Sequence, residues 1–219
     1  MDNQRASLAS LVAQGHTAVL VVDMQPLFTA MPLVPALDGV LPRLQRFLAA
    51  ARDSGVPRVF IRIVMPEDRW TAVWQDQFAG RVRPDDGSAV NLKDALAPGS
   101  PVTPFAPGFE PEPDDLTIVK ERYSAFVGTE LATELRSRGI RTVVLVGLTT
   151  DVCVGSTARD AFHHEFHTVT LSDCTAEQTL ARHESGLATL AANFGRVCTS
   201  EEVLAAWQAR PALAAAQPS

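Results

Sequence analysis

Cys153 stands where a polypeptide can place a nucleophile. It follows the apolar, β-branched run Thr142 to Val146, which ends in Gly147, Leu148, Thr149, Thr150 and Asp151, and it opens a segment with helical spacing. At such a strand-to-helix turn, unpaired backbone N–H groups and the positive end of the helix dipole are expected to favour thiolate over thiol. A thiol nucleophile also needs a base to take its proton and a cation to hold the charge that develops. Asp23 ends the run from Thr17, and Lys120 closes the run from Leu116. An aspartate between thiol and ammonium would accept the proton and later pass it to a departing amine, with Lys120 keeping the carboxylate ionised. Backbone N–H groups of Thr149 and Cys153 would form an oxyanion hole for a tetrahedral intermediate. The chemistry is attack on an amide carbonyl, release of ammonia or an amine, and hydrolysis of a thioester. Taken singly, the same residues also suit a buried cysteine, a turn-capping aspartate and a surface lysine, so residue type alone leaves both readings open.

Positioning three such residues requires strands that end together. Thr17 to Asp23 is almost continuously apolar, as in a central parallel strand covered on both faces. From Asp38, the spacing of Val40, Leu41, Leu44, Phe47, Leu48 and Ala51 predicts a helix stopped by Gly55. Further strands are expected at Arg58 to Val64, Leu116 to Lys120, Arg141 to Val146 and Thr168 to Leu171, with an edge strand at Arg196 to Thr199. Helices are expected at Gly128 to Arg138, Val152 to about His164, His183 to Asn193, and from Glu201. The alternation implies a single-domain α/β fold, a mostly parallel sheet with helices on both faces, and a ligand beyond the carboxyl ends of its strands. The stretch from Met65 to Asp115 holds Trp70, Trp74, Gly80, Gly87 and six prolines between Pro98 and Pro113. Its length points to a lid, a binding loop or an interface. The Ala-rich end from Leu204 to Ser219 is expected to fray or to pack on a partner subunit.

Composition narrows the partners. The chain has 219 residues, 46% of them hydrophobic, and a formal net charge of −6 without a dense basic run. Nucleic acid and anionic membranes are therefore poor partners, and a small molecule is expected. The N-terminus lacks a basic segment followed by an apolar core, which predicts a cytoplasmic location. Three cysteines without paired spacing predict neither a disulfide framework nor structural zinc, and Cys174 and Cys198 read as structural.

Val21-Val22-Asp23-Met24-Gln25, Val119-Lys120-Glu121-Arg122-Tyr123-Ser124-Ala125-Phe126 and Gly147-Leu148-Thr149-Thr150-Asp151-Val152-Cys153-Val154 resemble, in order and spacing, the motifs of isochorismatase-like cysteine hydrolases. The resemblance spans about residues 17–207 of one domain covering 1–219, with an insertion at 65–115 and a tail at 208–219. It implies a Rossmann-like three-layer fold, a catalytic triad of Asp23, Lys120 and Cys153, and a non-proline cis peptide at Leu148–Thr149. It also implies no cofactor and a homo-oligomer, dimer or tetramer, with the proline-rich segment and terminal helix as interface candidates. Family members that hydrolyse a vinyl ether typically lack the cysteine, so its presence favours amide or ureide hydrolysis. Val64-Met65-Pro66-Glu67-Asp68-Arg69-Trp70 has no histidine of the metal motif typical of nicotinamidases, which implies a metal-independent enzyme nearer to ureidoacrylate and biuret hydrolases. A vinyl ether hydrolase and a non-catalytic binding protein remain the alternatives.

Substrate-binding candidates follow from the same segments. Gln25 and Phe28 come after Asp23, Tyr123 and Phe126 after Lys120, and all four are expected to border the cleft, with Trp70 and Leu148 beside them. Aromatic walls with a few polar groups suit a small planar amide or ureide. Arg122 is a candidate partner for a substrate carboxylate, with a surface salt bridge the more ordinary role for it, and Asp173, Cys174 and Thr175 are expected near the cleft. The cluster His163-His164-Glu165-Phe166-His167 is not a metal-binding H-E-x-x-H motif and is expected to straddle a helix end.

Overall fold

A computed structural model describes residues 6–78 and 91–209. Gly80, Gly87 and the end of the Ala-rich segment, with Pro211 and Pro218, lie outside them. Six strands form one sheet: β1 (Thr17–Val22), β2 (Arg58–Ile63), β3 (Leu116–Lys120), β4 (Thr142–Leu148), β5 (His167–Ala176) and β6 (Arg196–Cys198). Every pairing is parallel, in the order β3-β2-β1-β4-β5-β6. Helices among the described residues are α1 (Leu8–Leu11), α2 (Pro26–Thr29), α3 (Leu37–Asp53), α4 (Ala72–Phe78), α5 (Leu92–Ala95), α6 (Leu131–Ser137), α7 (Gly155–His163), α8 (Leu180–Asn193) and α9 (Ser200–Gln208).

The unbroken apolar run of β1 has a direct cause. Alternate side chains enter different cores: Val19 and Val21 join Leu44 and Phe47 of α3, whereas Ala18, Leu20 and Val22 join Leu131 of α6 and Ala158 of α7. Both faces are therefore apolar, giving three layers.

β1 lies at the switch point of the sheet. The chain builds β2 and β3 on one side of it, then returns to add β4, β5 and β6 on the other, which leaves a crevice beyond the carboxyl ends of β1 and β4. Gly147 makes the closest approach between them. It pairs with Val22 at φ 106°, and a Cβ there would overlap the Val22 carbonyl oxygen.

Several boundaries depart from the sequence expectations. β4 continues to Leu148 because Gly147, which looks like a stop, is a contact point. β5 passes Leu171 through an irregularity between the pairs Leu145–Thr170 and Gly147–Thr175, then continues to Ala176. The expectation that Asp173, Cys174 and Thr175 approach the cleft is thereby corrected. Asp173 accepts from the Ser200 N–H and hydroxyl at 2.8 Å each, Cys174 is in the core, and Thr175 is within the sheet. The residues from Leu204 to Gln208 do not fray: Trp207 stacks on Phe47 at 5.3 Å and its indole N–H donates to the Val12 carbonyl.

The described part of the 65–115 segment is integral to the core. Leu92, Leu96, Ala106 and Phe109 are buried, and the Ala106 N–H donates to the Met24 carbonyl beside the end of β1. α7 ends at His163 and β5 starts at His167, so the histidine cluster spans a helix end. Among the described residues no helix is long and apolar enough to cross a membrane.

Candidate active site

Three strand ends deliver Asp23, Lys120 and Cys153 to one point. Asp23 directly follows β1 with φ 51°, a left-handed conformation that Asp tolerates better than most residues and that turns the chain sharply off the strand. Lys120 is the last residue of β3, two strand spacings or about 9.6 Å from β1. Its long side chain crosses the end of β2, so that Nζ lies 2.8 Å from Asp23 Oδ2 and 3.5 Å from Cys153 Sγ. The third ammonium hydrogen goes to the Arg122 carbonyl at 3.1 Å. Asp23 and Lys120 are fully buried and Cys153 nearly so.

Cys153 sits in a π-helical turn, Thr150–Val154, before α7 begins at Gly155. The Leu148–Thr149 peptide leading into this turn is cis. Thr157 ties the turn to the Lys120 segment: its hydroxyl donates to the Cys153 carbonyl at 2.7 Å and accepts from the Ala125 N–H at 3.1 Å. Arg122 stacks over Trp74 at 5.3 Å, where Tyr123 also packs at 4.6 Å.

The electrostatics correct one expectation. A helix-start cysteine was expected to favour thiolate, but burial among apolar side chains pushes the Cys153 thiol above its ordinary value, and the neighbouring Asp23 adds to the rise against the pull of Lys120. Burial also raises Asp23, despite the opposing charge of Lys120 and hydrogen bonding to Lys120 and Cys153. For Lys120 burial is the largest influence and acts downward, yet Asp23 and Cys153 hold the ammonium above its ordinary value. Burial thus opposes charge on both the thiol and the carboxyl, against the attraction of the Lys120 ammonium 2.8 Å from Asp23. Burial likewise pushes Cys174 and Cys198 up to about 12.

A cavity of about 60 Å³ opens onto Cys153. Thr149 and Cys153 line it together with Phe28 and Tyr123, so the structure brings these four candidates to one place. It does not bring the others there. Gln25 is fully buried and tied to the backbone: its amide donates to the Ile63 and Thr103 carbonyls at 3.1 and 2.9 Å and accepts from the Ile63 N–H at 2.8 Å. Phe126 packs against Phe166 and His164. Trp70 and the Leu148 side chain lie in the core on the α3 face. Arg122 is engaged with Trp74, as above.

Residues that sequence reasoning passed over complete the wall. Met31, Ile63 and Val152 extend its apolar part, while Glu177, Gln178 and Arg182 form a polar rim. Glu177 is buried and accepts from the Asp151 N–H at 3.1 Å. Arg182, at 41% side-chain exposure, donates to the Gln178 side-chain oxygen at 3.1 Å and lies 3.6 and 3.8 Å from the Glu177 and Asp151 carboxylates. The signal for the rim was the true end of β5, which the irregularity after Leu171 conceals. A larger groove, about 320 Å³, lies beside His167, Thr168 and Arg196 at the opposite, amino-terminal end of the sheet and holds none of the three reactive groups.

Among the described residues no three His, Cys, Asp or Glu side chains converge as a metal site.

Comparison with known proteins gives the setting. The Isochorismatase domain model matches residues 17–202. The ureidoacrylate amidohydrolase RutB of Methylorubrum extorquens is 33% identical over 83% of this chain and 78% of its own length. RutB of Variovorax paradoxus is 33% identical over 74% and 69%. A cysteine hydrolase from Pseudomonas syringae pv. phaseolicola 1448A superposes with a TM-score of 0.78 at 28% identity, covering 90% of this chain and 95% of that one.

Proposed function

Because the chain belongs to the isochorismatase family of hydrolases, we propose that it is a cysteine amidohydrolase that opens the C–N bond of a small carboxamide or ureide through a thioester, using Asp23, Lys120 and Cys153 as its catalytic triad. One observation carries this reading: the buried Lys120 ammonium lies within 3.5 Å of both the Asp23 carboxylate and the Cys153 thiol, beside a cavity lined by Cys153.

The resting thiol needs a base, and Asp23 is poised to act as one. As Sγ attacks the carbonyl carbon, the thiol proton passes to the Asp23 carboxylate. The N–H groups of Thr149 and Cys153 hold the oxyanion. Collapse breaks the C–N bond while Asp23 returns the proton to the leaving nitrogen, so ammonia or an amine departs and a thioester remains. Water then attacks the thioester and Asp23 takes its proton; collapse breaks the C–S bond, the departing sulfur recovers that proton from Asp23, and the acid product leaves with the thiol and carboxylate restored. Lys120 does not contact substrate in this scheme, since its three hydrogens are already engaged; its charge keeps Asp23 ionised between proton transfers. No step calls on a metal or organic cofactor.

The cavity supports a small substrate. Phe28, Met31, Ile63, Val152 and Tyr123 suit the faces of a planar amide, and Arg182 on the rim is placed for a carboxylate at its far end. Ureidoacrylate has both features and is the first compound to test, given the name of the relatives. Biuret and N-carbamoyl amino acids follow. Ammonia release should survive chelation in the wild type and fall by about 1,000-fold or more in Cys153→Ala, with Asp23→Asn nearly as impaired because the groups act as a unit. Turnover retained by folded Cys153→Ala would overturn the assignment. A small-molecule complex without turnover would instead favour a binding protein on this fold.

A further inference from the structure

Resting on that hydrolase reading, we propose that α8 braces the nucleophile turn and that His183 is a positioning residue, acting on Cys153 through Thr150. His183 Nδ1 and Thr150 Oγ1 are 2.8 Å apart, and both residues are buried. Thr150 opens the π-turn that carries Cys153. Burial holds the imidazole below the ordinary histidine range, partly offset by the Glu177 and Glu184 carboxylates and by the Ser172 backbone. The hydroxyl and the ring nitrogen are at hydrogen-bond distance whichever of them donates.

Two further contacts grip the next residue of the turn. Gly186 lies directly against Asp151, so close that a Cβ on it would stand 3.2 Å from Asp151 Cα. The buried Glu177 carboxylate takes the Asp151 N–H. A hydroxyl, an amide hydrogen and a Cα on two successive residues are thus held by α8 and the loop that leads into it. Neither His183 nor Gly186 lines the cavity. An imidazole buried only to fill space would be inferior to an apolar side chain, because its polar atoms must be satisfied. Here the ring is tied to the turn through Thr150. The brace fixes where Sγ stands between Lys120 and the substrate carbonyl, and a displacement of about 1 Å at such a point can cost on the order of 100-fold in rate.

The test compares Thr150→Val, His183→Phe, the double variant and His183→Asn, whose side-chain amide can occupy the place of Nδ1. For the amide that the wild type turns over, each of the first two should lower kcat by about 10- to 100-fold with KM within about threefold. The double variant should be no slower than the slower single one, and His183→Asn should regain most of the rate. A second readout is the pH midpoint for alkylation of Cys153 by iodoacetamide, followed by peptide mass spectrometry. It should move down in Thr150→Val and His183→Phe as water reaches the sulfur, and return in His183→Asn. Unchanged kcat and alkylation profile in Thr150→Val, or losses that multiply in the double variant, would overturn the brace; if His183→Phe does not fold, Thr150→Val and His183→Asn decide. Alkylation needs no substrate, so failure of the amide assignment and failure of the brace give different results.

Discussion

In the proposed scheme the proton chemistry turns on Lys120. Its ammonium is the nearest cation to Asp23, at 2.8 Å, and opposes the burial that would protonate that carboxyl. If the proposed scheme holds, the base form of Asp23 is the active one, and the rate should fall as pH drops through its raised pKa. Lys120→Met removes the opposing charge, pushes that pKa higher still and should carry the acid limb of the kcat/KM profile to higher pH. At pH 7 the loss should reach about 100-fold or more; an acid limb that stays in place would show that Lys120 does not hold the charge of Asp23. These three residues were legible in the sequence because Asp23 and Lys120 close apolar runs and Cys153 follows another at a strand-to-helix turn. The pocket wall was not. Gln25 is next but one to Asp23 in sequence, yet the backbone groups of Ile63 and Thr103 engage its amide. Sequence proximity to a reactive group does not reveal which way a side chain leaves a left-handed turn.

At the scale of elements, the approach of β4 to β1 sets the distance between Cys153 and Asp23. Gly147 permits it through a positive φ and the absence of a Cβ. Gly147→Ala would place a methyl group on the Val22 carbonyl in a conformation unfavourable for alanine, and should destabilise the fold by about 3 kcal/mol or more in urea denaturation. Wild-type stability in that variant would mean that the strands can separate without consequence. Strand and helix order was readable from apolar periodicity, because β1, β2 and β4 must be apolar on both faces. The ends of β4 and β5 were not, since a glycine contact and an irregular register leave no periodic trace. The π-turn was hidden for the same reason, and with it the correction from an activated to a buried thiol.

For the molecule as a whole, closure of the α3 face depends on α9. Trp207 and Val203 seal it against Phe47, and the bond from the indole to Val12 brings in the N-terminal segment. Trp207→Ala should cost about 3–5 kcal/mol in urea denaturation; a loss below about 1 kcal/mol would show that α9 is peripheral. The family match over residues 17–202 and the sheet order agree on a single doubly wound domain. That order also bears on the chain as it is made. Acid, ammonium and thiol enter from the first, third and fourth strands, and the thiol comes last. A nascent chain that stops short of β4 carries a base with nothing to activate, while a fragment beginning after β3 carries a sulfur with neither partner. The reactive centre is therefore inherently a property of the finished fold, and neither piece, cut by a protease or released early by a ribosome, can carry the chemistry away with it.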